Sequence, residues 1–446
     1  MNRLALLVLM VGCGDDGPGQ LPDAAPATDA PPDAFVCPMV TGAGTMHGSS
    51  ITAAETWTAA TSPHILPFDT TVSAAVTIEK CATVQIGAGK QISVGAGGSI
   101  TTQGEPGALV KIDKKDAAEW VNIRASAGGT LSFSHTTISG GGDPLNGLAA
   151  ISGAIEIAGT TPATQPVLHA DHLTITSSKS SGINLHDGGG FDASSTDVTI
   201  SGAMQYPITT FARALGTIPS GTYTGNTKSE ILVRGTGGPE AIAESLTIHD
   251  RGVPYHIGYQ ANAVLDVGTV TGLATVTIEP GVTMRFEAGA EFRIEAAGGV
   301  LPARGALIAV GTAAKKITFT SAAAAPAAGD WYGLRFGGTV NATTKLDYVR
   351  VEFAGKTSSS GSDSCVKPTQ STPNDAAIRI VSGEPANVFL TNSEIVSSAQ
   401  HGIDRGFRSD TKPSFLPTNT FTNIGGCKES LPRDLNGACP GTIPCP

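Results

Sequence analysis

Self-similarity is the feature that most restricts what this chain can fold into. Residues 76–100 read VTIEKCATVQIGAGKQISVGAGGSI and residues 276–300 read VTIEPGVTMRFEAGAEFRIEAAGGV. They align without gaps, with nine identities in 25 positions. The order of later motifs is kept. Glu119-Trp120 through Arg124 mirrors Asp330-Trp331 through Arg335, Leu131–Gly140 mirrors Leu346–Gly355, and Ile175–Asn184 mirrors Ile395–Asp404. Such conserved order predicts two tandem copies of one unit, and a fold that grows by addition.

Within each copy the pattern is of short strands. Val282, Met284 and Phe286 alternate with Thr283 and Arg285, and Phe292 and Ile294 alternate with Glu291, Arg293 and Glu295. A period of two buries one face and wets the other. Gly-rich turns at 87–89, 95–98 and 296–299 separate the strands, and no long 3.6-residue pattern supplies crossover helices. An all-β fold follows, either sandwich or barrel, or parallel solenoid. The solenoid is favoured. The Asn-Gly hairpin signal occurs at Asn146-Gly147 and at Asn436-Gly437, neither of them between alternating strands. Triplets such as Ile317-Thr318-Phe319 suit short sheet faces joined by bends, and a stack lengthens by duplication without reworking its core.

The runs VTIEPGVTMRF (276–286), GTAAKKITFTS (311–321), GDWYGLRF (329–336) and LDYVRVEFAG (346–355) resemble the right-handed parallel β-helix family with the pectin-lyase-like fold. The segments Ser62-Pro63-His64-Ile65 and Val253-Pro254-Tyr255-His256-Ile257 resemble that family's first strand. The resemblance implies an all-β, right-handed parallel β-helix solenoid, common among bacterial surface and secreted proteins. At roughly 20–25 residues per coil it implies some 16–20 coils and a rod on the order of 80 Å. The expected division is a first copy with its N-terminal cap at 36–207, a joint or insertion with a first strand at 208–264, a second copy at 265–426 and a Cys- and Pro-rich C-terminal cap at 427–446. Residues 36–60 are expected to cap one end, and 208–250, which match neither copy, to form a joint or side insertion.

The N-terminus reads as an address. Arg3 precedes the apolar run Leu4–Val11, and Met10-Val11-Gly12-Cys13 resembles the lipobox of bacterial lipoproteins. That resemblance implies a signal peptide at 1–12 and lipidation of Cys13, and Gly14 after the Cys permits outer-membrane sorting. Residues 13–35 then form a tether. Its stretch 14–34 holds five Asp, five Pro and no Lys or Arg, a composition that cannot bury apolar surface. Extended Pro-rich chain of this length reaches roughly 60 Å.

Setting Cys13 aside leaves Cys37, Cys81, Cys365, Cys427, Cys439 and Cys445. An even number fits an oxidising compartment, with 15 possible pairings and no Cys-x-x-Cys zinc spacing. Cys81 stands in the first copy where the second has Gly281, and a bond to Cys37 is among those pairings.

The chemistry is sparse. Net charge is −10, which argues against nucleic acid as a partner. Gly-x-Ser-x-Gly and His-Glu-x-x-His do not occur, and Gly355-Lys356-Thr357 ends like a P-loop but has Arg350 where its first Gly belongs. His169-Ala170-Asp171-His172 reads as a surface strand with His172 pointing away from the other two, and Asp187, Asp192 and Asp197 read as a solvated loop rather than a Ca²⁺ site. No metal site, cofactor or catalytic residue is assigned. Trp120 and Trp331 occupy equivalent places and read as core rather than sugar platforms. The expected function is a lipid-anchored cell-surface protein with a structural or binding role, its partners being the membrane and a glycan or surface protein. The rival is a polysaccharide lyase or glycoside hydrolase acting on an acidic glycan, for which Arg379 and Arg405 would be the bases.

Overall fold

The computed structural model describes residues 36–39, 42–143, 152–158, 167–186, 188–234, 239–259, 263–294, 304–358, 364–365, 375–439 and 445. The chain divides into two compact units, Met1–Val36 and Cys37–Pro446. Cys13, the proposed signal peptide and the tether lie outside the described residues, as do Asn146-Gly147 and Asp187.

The second unit is a parallel β-helix solenoid. Its strands are short because the alternating runs are short. His64–Leu66, Thr70–Val72 and Ala75–Glu79 are followed by Thr83–Ile86, Ile92–Val94 and Ser99–Gln103. The second trio lies on the first with parallel register, pairing His64 with Val84, Thr71 with Ser93 and Val76 with Ile100. Three strands therefore make one winding, and every backbone edge inside the stack is used by the next winding. The antiparallel pairing of Ser364–Cys365 with Leu431–Pro432 is the exception among the described strands.

One sheet of 14 strands runs from Ser50–Ile51 to Thr420–Ile424. A 12-stranded sheet forms the other two faces of the N-terminal half, because Thr130–Ser139 and Val167–Thr176 bend from one face onto the next. In the C-terminal half those faces separate into a six-stranded sheet, Pro239–Ile242 to His401–Phe407, and a five-stranded sheet, Leu246–Ile248 to Leu390–Thr391. Among the described residues, fourteen windings occupy roughly 60 Å at strand spacing. Both figures fall below expectation, since long connections such as 322–332, between Ile317–Ser321 and Gly333–Gly338, use residues without adding a winding.

Two further expectations are corrected. Residues 36–60 are not merely a cap, since Thr45–Met46, Ser50–Ile51 and Glu55–Trp57 already form a paired winding. Residues 208–250 are no side insertion either. Ile208–Thr210 and Ile231–Val233 continue the long sheet without a break to Tyr255–Ile257. The segment is a joint in that the other two faces change sheets there.

Inward side chains stack winding on winding. The column Ile92, Ile123, Ile155, Ile183 and Ile208 is wholly buried. In the C-terminal half, Phe292, Leu334, Ile378 and Ile403 form a like column. Each such side chain contributes about 1.5–3 kcal/mol on burial. Trp120 and Trp331 are core residues with no exposed surface. Trp120 donates its indole N–H to the Ser139 carbonyl at 3.2 Å, and Trp331 donates to Glu352 at 2.8 Å. The geometry thus matches Ser139 with Glu352, two residues from its partner in the sequence alignment, Ala354. The corner beyond each Trp also recurs. Ser178 Oγ donates to the Ser181 carbonyl and Ser398 Oγ to the His401 carbonyl, both at 2.6 Å. Gly142 and Gly355, at φ 72° and 81°, face those hydroxyls so closely that a Cβ would overlap them.

The six candidate cysteines form three disulfides: Cys37–Cys81, Cys365–Cys439 and Cys427–Cys445. The first ties the chain ahead of the opening winding to the stack, and the other two fix the C-terminal tail.

Candidate functional site

Where the faces change sheets, the stack leaves a cleft. After Ile208–Thr210 the chain makes a 3-10 turn, Ala212–Thr217, with Ala212 and Leu215 buried beneath it. The strands Pro239–Ile242 and Leu246–Ile248 then open the two new sheets against that turn. Between them lies a cavity of about 650 Å³ lined by Arg213, Thr217, Ile242, Glu244, Leu246 and Thr247. Arg213 Nε donates to the Ala241 carbonyl at 3.3 Å and so ties one wall to the other. An apolar floor with one cation, one anion and hydroxyls at its rim, at this volume, suits a small solute or a few units of a polymer.

Outward polar side chains form columns on the walls. On the six-stranded sheet, Asp266, Arg293, Arg335, Arg379 and Asp404 follow one another in register on successive windings. Arg293 pairs with Glu291, and Arg379 pairs with Asp375 at 3.3 Å with both side chains buried. Asp404 accepts hydrogen bonds from Ser364 at 2.6 Å and Ser430 at 2.9 Å. Arg335, between them, has a buried Nε with no hydrogen-bond partner among the described residues. Burial depresses its pKa, with Glu291 opposing. Burial also pushes the Asp266 carboxyl above the usual carboxylate range, although Arg293 and Arg335 pull the other way.

This arrangement bears on the proposed bases. Arg379 is 3% exposed and tied to Asp375 and Ser358. Arg405 is equally buried, 3.2 Å from Glu429, and donates to the carbonyls of Ser430 and Pro413 at 2.7 and 2.9 Å. Both are wall supports rather than groups open to a substrate.

In the N-terminal half, Ser93, Arg124, Glu156, Asn184 and Thr209 form the corresponding column on the long sheet. Burial drives the Glu156 carboxyl upward, but hydrogen bonding and charge from His186, aided by Arg124 and Asn184, hold it below the ordinary value. Thr209 donates to Asn184 Oδ1 at 2.7 Å and Arg234 to the same oxygen at 3.0 Å.

The histidine motif departs from expectation in part. His169 and Asp171 share the outward face of their strand, as expected, and His169 bonds Asp192 at 3.0 Å, beside Ser194 and Ser195. His172 does not point away, and its Nδ1 lies 2.6 Å from Asp171. The cause is a corner: His172 has φ 51°, which breaks the strict alternation of a strand. Asp192 and Asp197 serve different histidines, since Asp197 lies 3.5 Å from His172. Sequence reasoning missed His135, which the fold brings against His172 with ring centroids 4.4 Å apart. It also missed the arginine column. Three arginines on equivalent strands, one per winding, were the available signal.

No helix among the described residues is long and apolar enough to cross a membrane. No protein-family model matches the chain, and comparisons with curated proteins and with solved structures give no match.

Proposed function

We propose that this chain is a lipid-anchored cell-surface protein in which a β-helix of two tandem copies, of the pectin-lyase-like kind, holds a binding surface away from the membrane. Residues 1–12 direct export, Cys13 carries lipid, and the acidic arm to residue 35 gives the body its reach. More than one acyl chain on Cys13 makes the attachment lasting, because a single chain holds only marginally. Three disulfides support passage through an oxidising compartment.

The observation that carries the binding role is the cleft at the joint. Arg213 and Glu244 stand at its rim over Ile242 and Leu246, a mixture that suits a glycan or a peptide segment. Burial supports a non-catalytic reading, because Arg379 and Arg405 are held in buried pairs.

The test is a binding screen of the full chain against acidic and neutral glycans, beside an Arg213→Ala/Glu244→Ala variant, together with fractionation of cells expressing Cys13→Ser. The reading expects saturable binding that the double variant loses, and transfer of Cys13→Ser from the membrane to the soluble exported fraction. Unsaturated products or new reducing ends from an acidic glycan would replace binding with catalysis. Membrane retention of Cys13→Ser would remove the lipid anchor.

A further inference from the structure

The sequence points to no metal, yet the corner between two faces of the N-terminal half gathers a ligand set. Thr130–Ser139 and Val167–Thr176 pair in register on both sides of this corner, Ser134 with Asp171 and Thr136 with Leu173. The residues between, His135 and His172, therefore stand on adjacent windings. Both adopt the left-handed conformation, at φ 41° and 51°, as does Asp197 on the following winding at 52°. Their rings stack at 4.4 Å and 8°.

The two imidazoles aim the same atom at one carboxylate. His172 Nδ1 is 2.6 Å from Asp171 Oδ1, and His135 Nδ1 is 4.0 Å from Asp171 Oδ2. One ligand atom from each of the three residues lies within 4.8 Å of the others. His172 meets Asp171 directly, whereas His135 reaches the other carboxylate oxygen by way of Ser134 Oγ, so both Nδ1 atoms and the carboxylate border one space. An ion bound at roughly 2.0–2.1 Å from each donor spans these separations after small ring rotations.

A second observation concerns the far side of the ring. His172 Nε2 lies 3.5 Å from Asp197 Oδ2. A metal-ligating histidine commonly passes its other N–H to a carboxylate, which fixes the tautomer that leaves Nδ1 free to ligate. Ser134 Oγ, 3.2 Å from His135 Nδ1 and 3.4 Å from Asp171 Oδ2, borders the same space.

We propose that His135, His172 and Asp171 bind one zinc-class divalent cation that clamps two adjacent windings. Two nitrogens and one oxygen select Zn²⁺, Co²⁺, Ni²⁺ or Cu²⁺ over Ca²⁺ and Mg²⁺, which prefer all-oxygen shells. The fourth position faces solvent, since His172 is half exposed, so water or a partner's side chain completes the shell.

The test is calorimetric titration of the untagged, chelator-treated full chain with ZnCl₂ and, separately, CaCl₂. Every arm carries Cys13→Ser, so that no free thiol competes. His135→Asn and His172→Asn are the site variants, because Asn tolerates the left-handed backbone, and His169→Asn is the control. The expected result is one Zn²⁺ per chain, no competition from Ca²⁺, at least about tenfold weaker binding in each site variant and unchanged binding in the control. The chain with Cys13→Ser alone, loaded with Co²⁺, should show the absorption of a four-coordinate ion. Should a site variant lose its β-sheet circular dichroism, Asp197→Asn replaces it, with about tenfold weaker binding expected. Absence of Zn²⁺ uptake, or equal uptake by His135→Asn/His172→Asn, overturns the proposal.

Discussion

The two halves of the stack place different chemistry on one framework. In the N-terminal half the outward column reads Ser93, Arg124, Glu156, Asn184; in the C-terminal half the corresponding column reads Arg293, Arg335, Arg379, Asp404. The inward neighbours stay apolar until the last winding, where Arg405 follows Phe336 and Ile380 in register. Even there, Ile86 and Ile92 answer to Phe286 and Phe292, and Trp331 stacks on Phe286 at 4.1 Å. The comparison teaches where such a fold is constrained. Inward positions must fill a stack of fixed spacing, and corners must accept left-handed backbone. Outward positions carry polar and charged groups, and these differ between the halves.

The largest contrast is expected in the columns. Asp375→Asn takes the carboxylate out of the buried Asp375–Arg379 pair and should cost about 3–5 kcal/mol. Arg124→Ala in the other half removes a more open group and should cost about 1 kcal/mol or less. Chemical denaturation of the two variants checks this, and equal losses would break the contrast. Next come the tryptophans. Trp120→Ala and Trp331→Ala should each cost about 3–5 kcal/mol, with Trp331→Ala the larger because Phe286 loses its stacked partner as well. The corner glycines should behave alike. Gly142→Ala and Gly355→Ala each combine positive φ with a blocked Cβ and should each cost about 1–3 kcal/mol. A difference above about 1 kcal/mol between them would mean that the corners are not equivalent.

The smallest effect separates the opening winding from the rest. His64 is buried against Trp57, and its Nδ1 lies 3.0 Å from His47 Nε2. Burial holds the pKa of both histidines below the ordinary value, opposed at His47 by Glu55 and at His64 by the Thr58 carbonyl. The unfolded chain therefore binds protons first. This stability is complete above pH 6.5 and falls as the pH drops through 6.5 toward the depressed folded values. Hydrogen exchange at about pH 7.5 and about pH 5.5, on either side of the ordinary histidine value, should show residues 45–66 losing protection before residues 304–336, and simultaneous loss would remove the distinction.

Much of the fold is legible in the sequence, because the signals are local and repeated. The alternation at Val282, Met284 and Phe286 sets strand and face, and the equivalence of Trp120 with Trp331 marks core. The number of windings is less legible, since a long connection and a winding look alike in length. The sites are least legible. His135 and His172 meet through register, not sequence proximity, and the left-handed corner at His172 defeats the period-two rule. The cleft arises from a change of sheets at Ala212–Leu246, which no local motif announces.

Core, corners and clusters all depend on parallel windings in a fixed register, and a pair of engineered cysteines tests that most directly. Thr283 and Thr318 face outward as register partners on adjacent strands of the long sheet. Neighbouring strands stand about 4.8 Å apart, within the range a disulfide bridges. Thr283→Cys/Thr318→Cys, in a Cys13→Ser background, should close on oxidation and appear as one linked peptide pair in unreduced mass mapping. Thr283→Cys/Thr320→Cys, two residues out of register, should stay open; if it closes as readily, or if neither pair closes, the winding register is wrong.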